Sequence, residues 1–451
     1  MTIAPPPHSV AHLLSHLLAI ASLALGVAVP ASRERLTTSA TSPVAHDNEV
    51  MALAAHSGRL FAATDQWEYS GPHAAGQILV KNSARAPWKV FEQTQSLRVQ
   101  ALGSFAIPGD QGLGRGHSLL ITQAIVGGRS RIQWLLDGAK SFTSSHALRS
   151  KTVDVRSFGA HKSDGEWSVY AGANPTGILR GTWSRKRHTL VFSSRPELTA
   201  APPGSPGQKT QKVTGFADCA GALYVSINTK LYRRNDGHLP RGGARWSLVY
   251  QAPAVGARNS GLRGLTCVSH RGSPPSLLVS TEGNGNVYRF DHLRRAQLTP
   301  VVEFSPGPAI AKTLGTGPTL YVIAAYNNFE TVQLGGVSRQ LFGIEWNYLG
   351  GCPATRTCAP SSFDAAACFA IRTDRGTSPS YALRCLSGPD FTPSSTQVSP
   401  VRSGQAFVAI RTLERSPFGD RRLYYGGYDA NFSPADGAAW VASSTLTALH
   451  P

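Results

Sequence analysis

Four cations, Arg156, Arg263, Lys312 and Arg411, recur at one place in a repeated pattern. Each is the second residue of a signature made of an aliphatic residue, a variable one, a small one, and Leu or Phe. The copies are Val50-Met51-Ala52-Leu53, Val99-Gln100-Ala101-Leu102, Val155-Arg156-Ser157-Phe158, Val213-Thr214-Gly215-Phe216, Leu262-Arg263-Gly264-Leu265, Ala311-Lys312-Thr313-Leu314 and Ile410-Arg411-Thr412-Leu413. A guanidinium fork donates two parallel hydrogen bonds to a planar oxyanion, so cations brought to one level would suit a carboxylate, sulfate or phosphate. Five residues into the next apolar run stand Asp65, Asn174, Asn228 and Glu282, with Asp429 one place further in the last copy. Two outcomes are open. Either these groups pair with the cations in a structural network, or part of the ring stays free for an anionic ligand.

The candidate ligand-binding set is Arg156, Arg263, Lys312, Arg411, Asp65, Asn174, Asn228 and the stacking face of Trp67. Glu282 or Asp429 would be the general acid or base, with Tyr326 or Tyr428 as an alternative proton donor. No spacing of His, Cys and acids suggests a metal centre. His56 and His161 fall at the far end of the first strand and read as surface or turn histidines on the opposite face. No GxSxG, HExxH, Walker loop or helix-opening GxGxxG occurs.

Such residues need a repeated scaffold. The signatures begin at 50, 99, 155, 213, 262, 311 and 410, about 50 residues apart except for the last step. Most are followed by a second strand such as Leu223-Tyr224-Val225-Ser226, a third such as Leu231-Tyr232-Arg233, and a fourth such as Trp246-Ser247-Leu248-Val249-Tyr250. Four short strands per repeat of this length imply an all-β chain, a β-propeller. Small residues at the third signature position suit the narrow centre, and aromatics suit the widening gaps outside. The expectation is seven blades of four strands over residues 46–451, with first strands near 49–55, 98–104, 153–159, 212–218, 261–267, 310–315 and 406–413. The last blade lacks a fourth strand, which residues 36–46 of the segment 32–45 and its surroundings would supply. The long step is read as an insertion in blade six, about 347–400.

The chain has 451 residues, 41% of them hydrophobic, with 45 Gly and 30 Pro, which excludes wholesale disorder and long helical bundles. Residues 13–29 form the one long apolar run, and Val29-Pro30-Ala31 has the small-residue spacing of a signal-peptidase site. Residues 1–31 therefore read as a cleaved export signal, with an uncleaved anchor as the rival. Export suits the cysteines. Cys352, Cys358, Cys368 and Cys385 would form two disulfides in the insertion, a zinc site being the rival reading without CxxC or a His pair. Cys219 and Cys267 read as buried or bridged. The 44 basic against 26 acidic residues give a formal net charge of +18, which favours anionic partners.

The repeat, with Val155-Arg156-Ser157-Phe158, Gly261-Leu262-Arg263-Gly264-Leu265-Thr266, Glu282-Gly283 and Leu423-Tyr424-Tyr425-Gly426-Gly427-Tyr428-Asp429, resembles secreted bacterial β-propeller proteins that are mostly uncharacterised. That resemblance implies the fold and no reaction. At the level of fold the chain is also similar to sialidases, whose arginines grip a sugar carboxylate, as Arg156, Arg263 and Arg411 would. Gluconolactonase-type propellers hold calcium with residues like Glu282, Asn174, Asn228 and Asp65. Here the cationic ring opposes a divalent ion, so calcium is not expected. Two functions follow. One is hydrolysis or β-elimination of an anionic carbohydrate or ester. The other is a non-catalytic envelope propeller that binds a polyanion or protein. Either would be secreted or periplasmic, a monomer, not integral to the membrane after signal cleavage, with no nucleic-acid partner.

Overall fold

The computed structural model describes residues 29–34, 49–65, 76–106 (without 97), 118–148, 154–199 (without 164, 175 and 185), 212–237, 245–253, 261–269, 273–314, 320–348, 367–387 (without 376 and 377), 408–429 and 439–449. The chain is all-β, in a β-propeller arrangement with five consecutive blades of four antiparallel strands. Blade one is Glu49–His56, Arg59–Asp65, Gln77–Lys81 and Lys89–Gln93; blade two is Leu102–Ala106, Ser118–Val126, Arg129–Leu136 and Thr143–Ala147. Blade three is Asp154–Ser163, Glu166–Asn174, Gly177–Ser184 and Thr189–Phe192. Blade four is Val213–Cys219, Ala222–Ile227, Lys230–Arg234 and Trp246–Gln251; blade five is Leu262–Val268, Ser276–Gly283, Val287–Phe290 and Pro300–Phe304. Aliphatic faces and edge-on aromatics fill the seams between blades, as where Tyr170 meets Trp246 with ring centres 6.2 Å apart.

The repeated signature is a β-bulge. In blade one Val50 pairs with Thr64 and Ala52 with Ala63, so Met51 is surplus to the ladder. The surplus residue is Arg156 in blade three, Thr214 in blade four and Arg411 in Val408–Arg415. A bulge bends its strand and re-aims a side chain, which explains why one variable position sits inside an otherwise regular apolar pattern. In blade five the surplus residue is Gly264, beside Arg263. Its φ is +32°, and an added Cβ would lie 2.6 Å from that of Ala325, so only glycine fits. Blade two differs: Val99, Gln100 and Ala101 precede its first strand, with Val99 N–H donating to the Thr64 carbonyl of blade one at 3.2 Å and Gln100 Nε2 to Asp65.

The regular four-stranded plan stops after blade five, so the expected seven are not all of that kind. Residues 310–315 were expected as the sixth inner strand, but Pro306–Leu314 is an α-helix, α1. Pro306 and Pro308 explain this, because proline pre-sets helical φ in a first turn and cannot donate to a ladder. Lys312 therefore belongs to a helix and not to the ring. The inner position is taken by Leu320–Ala324 and Glu330–Leu334, which pair successively with Val337–Tyr348. Residues 325–329 bulge out between them, five residues where the other units have one.

Cys368–Arg375 and Ser378–Ser387, expected within an insertion, continue this sheet beyond Val337–Tyr348. Val29–Pro30 adds a parallel edge at Leu386 and Ser387, with Val29 fully buried. A last unit joins Val408–Arg415, Arg422–Asp429 and Trp440–Thr445 to Ser32–Glu34. The closing strand is Ser32–Glu34; residues 36–46, expected to supply it, lie outside the described residues together with 1–28. Glu34 secures it, accepting from Trp88 Nε1 at 2.9 Å and pairing with Lys81 at 3.0 Å.

Disulfides join Cys219 to Cys267 and Cys368 to Cys385. Cys352 and Cys358 lie outside the described residues. Such bonds persist in an oxidising, extracellular compartment. No helix among the described residues is long and apolar enough to cross a membrane.

Candidate functional site

The bulges converge on a small cavity lined by Met51, Gln100, Arg156, Thr214, Arg263, Tyr326 and Asn327. The first five are the variable residues of the first five signatures, in order around the axis. The sixth place belongs to the long bulge, which brings Tyr326 where Lys312 was expected. Asn327 Nδ2 donates to the Met51 carbonyl, and Asn328 Nδ2 donates to the Leu413 carbonyl at 2.7 Å, so this bulge is tied to units on both sides of the closure. The empty space is ≈ 210 Å³, counting the open solvent at its mouth.

The arginines are paired. Arg263, 4% exposed, donates through Nε to Glu282 Oε2 at 2.7 Å. Tyr321 Oη donates to the other oxygen of Glu282. Burial would push Glu282 upward, but Arg263 and Tyr321 outweigh it and hold the carboxyl below its usual range. Arg411 reaches Glu345, and its Nε lies 3.4 Å from Glu49 Oε2. Arg156 donates through Nε to Asp154 at 3.1 Å. Tyr326 lies against two guanidiniums, with the Cζ of Arg263 4.3 Å and that of Arg411 3.9 Å from its ring centre, a double cation–π contact.

Asp65, fully buried, accepts from Gln100 Nε2 at 3.2 Å and pairs with Arg98 at 3.5 Å. It is register partner and hydrogen-bond partner of Glu49. Burial, and for Asp65 the neighbouring Glu49 charge, raises both carboxyls. Burial also raises Glu345, against the pull of Arg411. Asn228 is a turn residue at φ +50°, its Oδ1 accepting the Lys212 N–H at 2.9 Å. Asn174, across from Asp154, keeps a buried Oδ1 without a partner. Tyr428 and Asp429 end their strand at the register positions of Ala409 and Val408. Trp67 lies outside the described residues.

Sequence reasoning missed Glu49 and Glu345, and with them the charge balance. One signal was available. The residues just before the first four signatures are Glu49, Arg98, Asp154 and Lys212, alternating in sign. Glu345 carries no such mark, because its strand was hidden by the misplaced sixth copy.

The two histidines are buried, not surface residues. His56 is 2% exposed and contacts Ser118 Oγ at 3.1 Å. His161, 1% exposed, lies 2.9 Å from both Asp218 and Asp236, clamping blade three to blade four. Burial opposes the imidazolium, but the two carboxylates outweigh it and raise His161 above the usual histidine value. A raised folded value adds stability that is full below the unfolded value, about 6.5, and lost as pH rises through the folded one. The melting temperature is therefore expected to fall from about pH 6.5 upward, and less steeply in His161→Gln. Equal slopes in calorimetric scans of both proteins would refute the clamp.

No family model matches this chain. A segment of 85 residues is 33% identical to the 3-phosphoshikimate 1-carboxyvinyltransferase of Sphingopyxis alaskensis, covering 19% of this chain and 18% of that protein. Among solved structures, the chain is similar to a GH43_1 enzyme from Xanthomonas citri, with 12% identity and a TM-score of 0.30 over 60% of this chain and 94% of that one. It is also similar to Chaetomium thermophilum Raptor, with 12% identity and a TM-score of 0.46 over 93% of this chain and 29% of that one.

Proposed function

We propose that the protein is an exported, monomeric propeller that binds, without turning over, the anionic end group of a small molecule or polysaccharide at its axial cavity. In this reading an export signal ends before Val29 and not after Ala31, because Val29 is buried in the sheet, and seven units close the ring, Ser32–Glu34 completing the last. The supporting observation is the division of labour in two arginines. Arg156 commits only Nε, and Arg263 commits Nε and Nη2, while both line the cavity from different blades. The remaining Nη groups form a donor pair for a carboxylate.

Binding is favoured over catalysis because the acids whose side chains are described at the axis are spent. Glu282 is engaged at both oxygens and held ionised, with no proton to give. Glu49, Asp65 and Glu345 retain protons more readily but are 3%, 0% and 3% exposed. At constant ionic strength, sodium acetate should raise the melting temperature and acetamide should not. At 100 times its dissociation constant a ligand adds about 2.7 kcal/mol. Arg156→Met should abolish the acetate effect and stay folded, since Arg156 is half-buried. Indifference of the native protein to acetate would sink the proposal.

A further inference from the structure

Gln100 holds an unmet demand inside this cavity. Its side chain lines the space and is 4% exposed. Nε2 donates to Asp65 Oδ2 at 3.2 Å, while Oε1 is buried with no hydrogen-bond partner. The amide is held in this sense. Asp65 Oδ1 faces Arg98 Nε at 3.5 Å, and Oδ2 accepts from Gln100 Nε2. Oε1 is therefore left as an acceptor beside the cavity, and a buried acceptor without a partner is costly.

The lining is thus two-sided in its chemistry. Arg156 and Arg263 offer donors and a positive field, and Gln100 Oε1 offers an acceptor. A sulfate or simple carboxylate group meets only the first requirement, because once ionised it has no hydrogen to donate. A hydroxyl on the carbon next to a carboxylate meets both from adjacent atoms. Resting on the anion-binding reading above, we infer that the axial site selects a 2-hydroxy carboxylate, with its carboxylate on the Nη groups of Arg156 and Arg263 and its hydroxyl donating to Gln100 Oε1. Sites built to accept from a substrate hydroxyl discriminate against the analogue lacking it, because the protein group is then left unpaired.

Three small probes separate the requirements: acetate, glycolate and methoxyacetate, titrated calorimetrically into the full chain at constant ionic strength. Glycolate is expected to bind about tenfold more tightly than acetate, the worth of one added hydrogen bond. Methoxyacetate, which keeps the oxygen but not its hydrogen, should do no better than acetate. In Gln100→Met the glycolate advantage should vanish while acetate binding persists. Equal binding of acetate and glycolate to the native protein overturns the hydroxyl preference and leaves the anion site standing. Failure of both to bind overturns the anion site and this inference together. Should Gln100→Met not fold, the three titrations of the native protein still decide the matter.

Discussion

Arg411→Met is expected to destabilise the protein by about 3–5 kcal/mol, the usual cost of removing one partner from a buried ion pair. Arg411 is 5% exposed and serves two acids that are themselves 3% exposed, Glu49 and Glu345. Methionine keeps the length and volume of the stem, so the loss is chiefly of charge. The acids then keep their burial and lose the cation that opposes it most. Burial already raises both, and Arg411 is the first force opposing it. Carboxyls raised in the folded state lend stability at low pH that is lost as pH rises through their folded values. The deficit of the variant should therefore grow from about pH 5 to pH 8. Adding Glu345→Gln to Arg411→Met should restore more than half of it, since a neutral amide no longer needs the cation. Urea midpoints of the native protein, both single variants and the double variant measure this coupling. A double variant no more stable than Arg411→Met would show that the network is not what holds the axis.

The second large effect is expected from the Cys219–Cys267 bond. It links the ends of the inner strands of blades four and five and closes a loop of 48 residues. Chain-entropy reasoning gives about 4 kcal/mol for a loop of that length. Replacing both cysteines with serine should cost about that much, and somewhat more than removal of Cys368–Cys385, whose separation is 17 residues and for which the same relation gives about 3 kcal/mol. The second pair bridges strands already hydrogen-bonded to each other, with Cys368 and Cys385 as register partners. The first ties two blades that share no ladder in their inner strands. Equal denaturant midpoints for the native protein and the Cys219→Ser/Cys267→Ser variant would contradict this assignment.

The inner strands of blades one, three, four and five were legible because each bulge leaves a mark: an unconstrained residue between an aliphatic and a small one. Helix α1 was not, because Ala311-Lys312-Thr313-Leu314 satisfies the pattern while Pro306 and Pro308 decide the backbone. The pattern reports packing preference, and the prolines report conformation, which wins locally. That error hid the strand bearing Glu345 and turned Cys368–Arg375 and Ser378–Ser387 into a supposed insertion. Arg156 and Arg263 line the cavity, and Tyr326 reaches it by a longer loop than the repeat suggests. The pairing of the arginines was the half of the site that spacing could not reveal. Glu49 and Arg411 come from opposite ends of the chain, and only closure brings their charges to one axis.

A residue that takes no part in the ladder is uncoupled from register. Exchanging Met51, Arg156 or Thr214 for another side chain leaves every neighbouring strand pair intact. The axial chemistry of this molecule can therefore drift, duplicate or be rewritten one blade at a time while the sheets stay as they are. Descendants of a single scaffold would then differ in ligand long before they differ in shape, and a selection experiment randomising only those positions would sample binding without sampling misfolding.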